Sequence, residues 1–174
     1  MFTNRISGML AERGRRMMGW NEILGSDVHN DGGRGAALGK LDASAIIHFW
    51  YGSDKIAAKA IREGRQVVNS TSHMTYINKG YDKLPLSKSY SFEPVFAGLN
   101  PEQQKNVIGL GCQVWTEWIA DVEKLHRHVF PRIAAYAEPG WTRKEDKNFQ
   151  DFRRRLTGYE KILDALGIRH GEKE

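Results

Sequence analysis

The strongest constraint on the fold is the alternation of short, continuous apolar segments with segments of helical periodicity. The apolar segments cover residues 17–20, 45–50, 66–70 and 107–115. Such strands are typically buried on both faces, as in a parallel sheet with helical crossovers. The sequence therefore predicts an α/β fold with four parallel strands, which suits either a small open sheet or half of an eight-stranded barrel.

Helical segments are predicted between and after these strands. Apolar spacing predicts the end of a helix up to residue 13 and a helix from Asp54 to Gly64. A short helical turn is predicted at Pro101, and long helices are predicted over residues 122–137 and 145–166. Residues 25–41 are polar and rich in glycine, which predicts a loop, and residues 76–98 are expected to be irregular.

Composition excludes several classes of protein. The formal net charge of +5 is mild, and the arginine run at residues 153–155 is interpreted as the solvated face of a helix, so no nucleic-acid partner is predicted. No apolar stretch approaches the roughly 18 residues of a membrane span. The N-terminus lacks the apolar region of a signal peptide, so the chain is either cytoplasmic or part of a longer precursor, and its localisation stays open.

Cysteine and histidine positions argue against disulfide and metal chemistry. Cys112 is the single cysteine, and it lies in an apolar run that favours a packed thiol over a nucleophile. His126 and His128 are two apart on a predicted helix and cannot face one site. Ligand spacing is also missing at His29, His48 and His73. Neither a metal nor another cofactor is predicted.

Aromatic residues lie at or near the end of every predicted strand. They are Trp20, Trp50, Tyr76 and Trp115. Ligands bind at the C-terminal edge of parallel strands, so we expect the four rings to converge, although any one of them alone is more simply a core residue. Aromatic walls suit the C–H faces of a pyranose ring. The pattern therefore predicts a sugar pocket.

Polar side chains follow three of these aromatics at a spacing of two. Glu22, Asn78 and Glu117 should lie on the same side as the ring before them if the chain is extended there. Two tryptophans flank Glu117, which predicts a partly desolvated carboxylate that needs a ligand or partner. For Glu22, an ion pair with Arg15 or Arg16 is an equally weighted alternative.

Three segments resemble motifs of glycoside hydrolase family 20, the β-N-acetylhexosaminidases. Residues 16–24 (Arg-Met-Met-Gly-Trp-Asn-Glu-Ile-Leu) are similar to the fifth-strand motif, residues 107–118 to the eighth-strand motif, and residues 130–142 to the helix that follows. Residues 47–50 and 68–76 match the sixth and seventh strand regions more loosely. The resemblance implies that residues 1–174 form a single segment, the C-terminal half (strands five to eight) of a (β/α)8 TIM-type barrel, with the N-terminal half absent.

The resemblance also implies roles for the site residues. The pocket for a terminal N-acetylhexosamine and its acetamido methyl would be lined by Trp20, Trp50 and Trp115. Tyr76 would donate its hydroxyl to the acetamido oxygen, and Glu117 would accept from ring hydroxyls at O4 or O6. Asn78 stands where the family typically has Asp, which removes a charged acceptor and bears on affinity or substrate preference.

In this family the acetamido oxygen of the substrate attacks the anomeric carbon, in a substrate-assisted retaining reaction. A Glu protonates the leaving group and an adjacent Asp steadies the acetamido nitrogen. No Asp-Glu dipeptide occurs in the sequence, and Glu145-Asp146 has the reverse order. We therefore expect the chain to begin after the catalytic motif and to be inactive alone.

The expected ligands are glycans that end in N-acetylglucosamine or N-acetylgalactosamine. The expected protein partner is the missing N-terminal half or a second copy of the chain, because open sheet edges favour pairing with further strands. A non-catalytic N-acetylhexosamine-binding or scaffold module is the alternative. A nucleotide-binding protein, suggested by the glycines of residues 32–39, is disfavoured because the spacing is not G-x-G-x-x-G and no strand directly precedes it.

Overall fold

The computed structural model describes residues 2–25 and 41–171. Its helices and strands are, in chain order, α1 (Phe2–Ala11), β1 (Met18–Trp20), β2 (Ile46–Phe49), α2 (Asp54–Arg62), β3 (Val67–Asn69), α3 (Ser72–Thr75), α4 (Leu86–Tyr90), α5 (Pro101–Gln104), β4 (Val107–Leu110), α6 (Val122–Val129), α7 (Arg132–Trp141) and α8 (Phe149–Ala165). Short 3-10 helices cover Asn21–Leu24 and Lys144–Asp146. Most of the predicted loop, including residues 32–39 and His29, lies outside the described residues.

The chain divides into two compact units. The first unit comprises Met1–Thr71 and Val95–Gly109, and the second comprises Ser72–Pro94 and Leu110–Glu174. Within the described part of both units, no helix combines the length and the apolar character that crossing a membrane requires.

A parallel sheet forms the centre of the first unit. The strand order is β1-β2-β3-β4, and β2 pairs in parallel with both β1 and β3. Ile47, Phe49 and Val67 are fully buried in its core, whereas the alternate residues of β2, Ile46 and His48, are only half-buried. The predicted α/β fold with a parallel sheet is confirmed.

Helix α2 covers this sheet because its sequence places small and apolar residues on one side. Its buried residues are Ala57, Ala58, Ala60 and Ile61. The Ser53 side chain accepts from the Lys55 amide at the N-terminus, and Gly64 ends the segment with a φ of 83° that favours glycine. The predicted helix from Asp54 to Gly64 is confirmed, apart from its last two residues.

Two apolar clusters form the core of the second unit. One contains Leu86, Tyr90, Ala135, Phe152 and Leu156, and brings together α4, α7 and α8. The other contains Ile77, Leu84, Phe92 and Tyr136. The Cys112 side chain packs against this second cluster, and burial raises the pKa of its thiol, which suits a packed rather than a nucleophilic cysteine.

Four predicted elements differ from the structure. The fourth strand ends at Leu110 rather than at residue 115, because glycines at 109 and 111 weaken it, and one isolated bridge joins Gln113 to Tyr76. The helix predicted over residues 122–137 is two helices that separate at Pro131, whose ring nitrogen carries no hydrogen to donate. The region predicted to be irregular, residues 76–98, contains the short helix α4. The last helix begins at residue 149 rather than 145.

Candidate functional site

The first unit brings Trp20 and Trp50 together. Trp20 ends β1, and Trp50 directly follows β2. In the register of the two strands Trp20 pairs with His48, so Trp50, two residues further on, continues the same side of the sheet. The ring centroids are 6.2 Å apart at an interplanar angle of 72°, an edge-to-face arrangement. Both rings are half-buried, so each retains surface that a ligand can contact.

Glu22 binds Trp50 rather than continuing an extended segment as predicted. It lies in the 3-10 helix after β1, and its two carboxylate oxygens accept from the Trp50 indole Nε1 at 3.1 and 3.0 Å. Arg16, one of the two arginines considered as its partner, donates to Ser44 O and to Gln66 Oε1. Because the one N–H of the indole is occupied by Glu22, Trp50 offers a ligand its ring face.

Sequence reasoning missed Asn21, which holds the end of β2. Asn21 is fully buried, and its Oδ1 accepts from the Trp50 amide at 3.0 Å while its Nδ2 donates to Tyr51 O at 3.1 Å. A buried amide side chain usually satisfies backbone groups of this kind. The signal was available in the sequence, since Asn21 is the polar residue that directly follows the apolar strand.

His48 was considered only as a metal ligand, and the structure gives it a different position. Its ring stacks on Trp20 with centroids 4.2 Å apart at 16°, and its Nε2 lies 2.6 Å from Ser70 Oγ. Burial lowers the pKa of His48, so the neutral imidazole is favoured at pH 7. His48 therefore covers one side of the Trp20 indole.

The second unit brings Tyr76 and Trp115 together. Their ring centroids are 6.1 Å apart at an interplanar angle of 54°. A parallel bridge pairs Tyr76 with Gln113, two residues before Trp115, and so brings the two chain segments side by side. The Thr75 hydroxyl donates to Gln113 Oε1 at 3.3 Å and supports the same contact. Trp115 is 40% exposed, so much of its ring is available to a ligand.

Asn78 lies in a turn two residues after Tyr76, not in an extended segment. Its Oδ1 is buried and has no hydrogen-bond partner among the described residues. A buried acceptor without a donor costs about 1–3 kcal/mol, so the arrangement is unfavourable until a donor reaches it. A hydroxyl group of a ligand is a donor of the required kind.

The predicted desolvation of Glu117 is wrong for this chain. Glu117 is exposed, and the flanking Trp118 is 78% exposed. The reason is that β4 ends at Leu110, and residues 116–119 form a turn in which the Ile119 amide donates to Thr116 O at 3.0 Å. The spacing-of-two argument therefore does not apply to Trp115 and Glu117.

The structure thus brings the four rings together as two pairs, one within each unit. Trp20 lies with Trp50 in one, and Tyr76 lies with Trp115 in the other. Convergence of all four rings stays a prediction. No group of three or more His, Cys, Asp or Glu side chains suited to a metal ion is found in the described ranges.

Comparison with known proteins gives one consistent family. Residues 1–144 match the model of the glycosyl hydrolase family 20 catalytic domain. A β-N-acetylhexosaminidase of Cellulomonas fimi is 26% identical over 178 aligned residues, which cover 94% of this chain and 33% of the relative. A β-hexosaminidase of Porphyromonas gingivalis is 28% identical over 182 aligned residues, which cover 97% of this chain and 22% of the relative.

Solved structures of the same family share the fold. The exo-β-N-acetylglucosaminidase of Vibrio harveyi, solved in complex with N-acetylglucosamine, aligns with a TM-score of 0.79 and 27% identity over 98% of this chain and 27% of that chain. The β-N-acetylhexosaminidase of Streptomyces coelicolor aligns with a TM-score of 0.80 over 99% of this chain and 35% of that chain, at 24% identity. The chain spans a third or less of the length of the two curated relatives, 33% and 22%.

Proposed function

Because this chain belongs to glycosyl hydrolase family 20, we propose that it is the sugar-binding part of a β-N-acetylhexosaminidase catalytic barrel, contributing strands five to eight. The observation that carries the proposal is the perpendicular Trp20–Trp50 pair, supported by the Glu22 carboxylate. Two rings at 72° form a corner, which suits a ligand with a flat apolar face and an apolar substituent at its side. An N-acetylated pyranose has both.

Each site residue has a proposed role in binding the terminal N-acetylhexosamine. The tryptophans would pack on the ring and the acetamido methyl: Trp20, Trp50 and Trp115. Tyr76 would donate its hydroxyl to the acetamido oxygen, and Glu117 would accept from ring hydroxyls. The unpartnered Oδ1 of Asn78 supports a role as acceptor for a sugar hydroxyl. Glycans ending in N-acetylglucosamine or N-acetylgalactosamine are the proposed substrates.

Hydrolysis is proposed for the whole enzyme, by the substrate-assisted retaining mechanism. In that reaction Tyr76 would hold the acetamido oxygen where it can attack the anomeric carbon, and oriented attack of this kind is a large part of enzymatic rate enhancement. Protonation of the leaving group is worth roughly 10²–10⁴ in rate and needs a positioned acid. The 174 residues contain no Asp-Glu dipeptide, so the acid and its partner are proposed to come from residues outside them.

A non-catalytic N-acetylhexosamine-binding module is the second candidate. Asn78 stands where the family has Asp, and this favours the binding module. A site that only binds sugar does not need the strong hydrogen bonds to sugar hydroxyls that stabilise a transition state. Both candidates predict sugar binding, and they differ in whether joining this chain to an Asp-Glu half produces hydrolysis.

Calorimetric titration of the purified chain with an acetamido thiazoline inhibitor tests the binding site. Trp50→Ala should weaken binding at least about tenfold, since burying an aromatic face is worth on the order of 1–3 kcal/mol. Trp141→Ala is the matched control, because Trp141 is 92% exposed at the end of α7 and lies outside the proposed site. Glucose, which lacks the acetamido group, should not compete. No binding by the folded wild-type chain would contradict the proposal.

A further inference from the structure

Arg132, in the first turn of α7, is a charged side chain in an unusual environment. It has no exposed surface and is among the largest fully buried side chains in the described residues. Within the described part of the chain its partners are backbone carbonyls, one imidazole nitrogen and the Tyr81 ring, with no carboxylate among them. Burial without a counter-charge is costly, so these carbonyl contacts must compensate for it.

Most of these carbonyls belong to one short segment that follows Tyr76. Arg132 Nη1 donates to Lys79 O at 2.8 Å and to Leu84 O at 3.0 Å, and Nη2 donates to Ile77 O at 2.6 Å. Nε and Nη2 also donate to His128 O one turn earlier, and Nη2 lies 3.3 Å from His128 Nδ1. The guanidinium therefore joins three points of residues 77–84, a segment that is a turn rather than a helix or strand over most of its length.

Ile77 is held from both sides. Its amide donates to Gln113 O at 3.0 Å, and its carbonyl accepts from Arg132 and lies 3.1 Å from His128 Nδ1. Its side chain is 1% exposed. Because Ile77 stands between Tyr76 and Asn78, fixing both of its peptide groups fixes the backbone from which those two side chains project.

The Tyr81 ring holds the other side of the guanidinium. The Arg132 Cζ lies 4.1 Å from the ring centroid, and the Tyr81 hydroxyl donates to Phe130 O at 3.0 Å. The Gly171 amide donates to the same carbonyl at 2.7 Å, and Gly171 packs so closely that an added Cβ would overlap the Tyr81 hydroxyl. The C-terminal tail thus backs the tyrosine that covers Arg132.

We infer that Arg132 is a positioning residue for sugar binding, which sets the backbone of residues 77–84 and through it the orientation of Tyr76 and Asn78. The planar guanidinium suits this task because it donates in several fixed directions at once, which a lysine ammonium at the end of a flexible stem does not. The effect on sugar affinity rests on the proposed function, whereas the effect on the segment does not.

Hydrogen–deuterium exchange of the 174-residue chain tests the effect on the segment. In the wild type, the amides of residues 77 and 84 should exchange slowly although they lie outside any sheet. Arg132→Met keeps the apolar stem and removes the donors, so exchange over residues 77–84 should accelerate at least about tenfold while α8 stays protected. Arg127→Met is the matched control, since Arg127 forms an exposed ion pair with Glu123 on α6.

Arg132→Lys keeps the charge and is the second variant should the methionine variant fail to fold. We expect it to show faster exchange in residues 77–84 than the wild type. Unprotected amides at residues 77 and 84 in the wild type would overturn the inference. So would a folded lysine variant that exchanges as slowly as the wild type.

Titration with an acetamido thiazoline separates positioning from general stability. At a temperature where all variants are folded by circular dichroism, Arg132→Lys should bind about tenfold more weakly, since displaced Tyr76 and Asn78 side chains would lose about one hydrogen bond to the sugar. A purely structural arginine would lower Tm and leave the affinity of the folded variant unchanged, which would overturn the positioning role. If the wild type does not bind, the proposed function fails, and exchange still decides whether Arg132 holds the segment.

Discussion

Asn21, Glu22 and His48 each hold one part of the tryptophan pair in the first unit. Asn21 bonds the backbone at Trp50, Glu22 bonds the Trp50 indole nitrogen, and His48 stacks on Trp20. An aromatic ring can pack in many orientations at similar energy, whereas a hydrogen bond has a narrow angular range. At the scale of single residues, polar side chains therefore select the orientation of the rings.

Glu22→Gln should destabilise the chain by about 1 kcal/mol, because the Trp50 indole keeps an acceptor but loses a charged one. Urea unfolding followed by circular dichroism measures this change. Glu63→Gln is the control, since Glu63 is an exposed residue at the end of α2, 4.0 Å from Lys59. Equal effects of the two substitutions would contradict a specific role for Glu22.

His48 should make stability depend on pH between the folded-state pKa and the ordinary value near 6.5. Burial lowers the pKa of His48 in the folded state, so below pH 6.5 the unfolded chain binds a proton that the folded chain does not. Stability should therefore fall as pH decreases through this window. His48→Gln removes the titrating group, and the difference in unfolding free energy between variant and wild type should shrink from pH 7.5 to pH 5.5. A difference that does not vary with pH would rule this out.

At the scale of elements, the conformation of residues 77–84 in the second unit depends on the packing of α7 and of the segment that follows α8. Helix α7 supplies Arg132 and Tyr136, and the Tyr136 hydroxyl donates to Met74 O while burial raises its pKa to about 12. The segment after α8 returns to Phe130 through Gly171. Close approach of backbone to a ring requires glycine there, because any Cβ would collide.

Two glycine substitutions in this region should have opposite effects. Gly171→Ala should destabilise by about 1–3 kcal/mol because the added methyl forces Tyr81 away from its position. Gly158→Ala should stabilise by about 0.5–1 kcal/mol, because residue 158 lies inside α8 with open space around a Cβ and alanine is the better helix former. Thermal unfolding of both variants measures the difference, and effects of the same sign would contradict the packing described.

At the scale of the whole molecule, the sheet of the first unit ends on both sides in strands with exposed apolar residues. Met18 on β1 is 54% exposed, and Ile108 on β4 is 44% exposed. Strand edges and exposed apolar side chains favour pairing with further strands. This agrees with a chain that spans a third or less of its curated relatives.

The purified chain alone should release no chromophore from an aryl N-acetylglucosaminide. Its residues are proposed to bind and orient the sugar, and proton transfer needs the Asp-Glu pair that the sequence lacks. Co-expression with a polypeptide that carries strands one to four and the Asp-Glu motif should restore hydrolysis if this is a catalytic half. Sugar binding without any restored hydrolysis would favour the non-catalytic module, and hydrolysis by the chain alone would refute the assignment of roles.

The sequence by itself determined the parallel α/β sheet, helix α2 and the aromatic residues that follow the strands, because apolar runs and helical periodicity are local patterns. Tertiary structure decided which polar groups meet the rings. Glu22 reaches Trp50 across 28 positions, and Arg132 reaches Ile77 across 55. Local spacing also failed at three places. Glycines end β4 early, and Pro131, which has no N–H, divides the predicted helix. A turn places Glu117 away from the predicted extended segment. Contacts between residues so distant in the chain depend on packing of the whole unit, which no local pattern encodes.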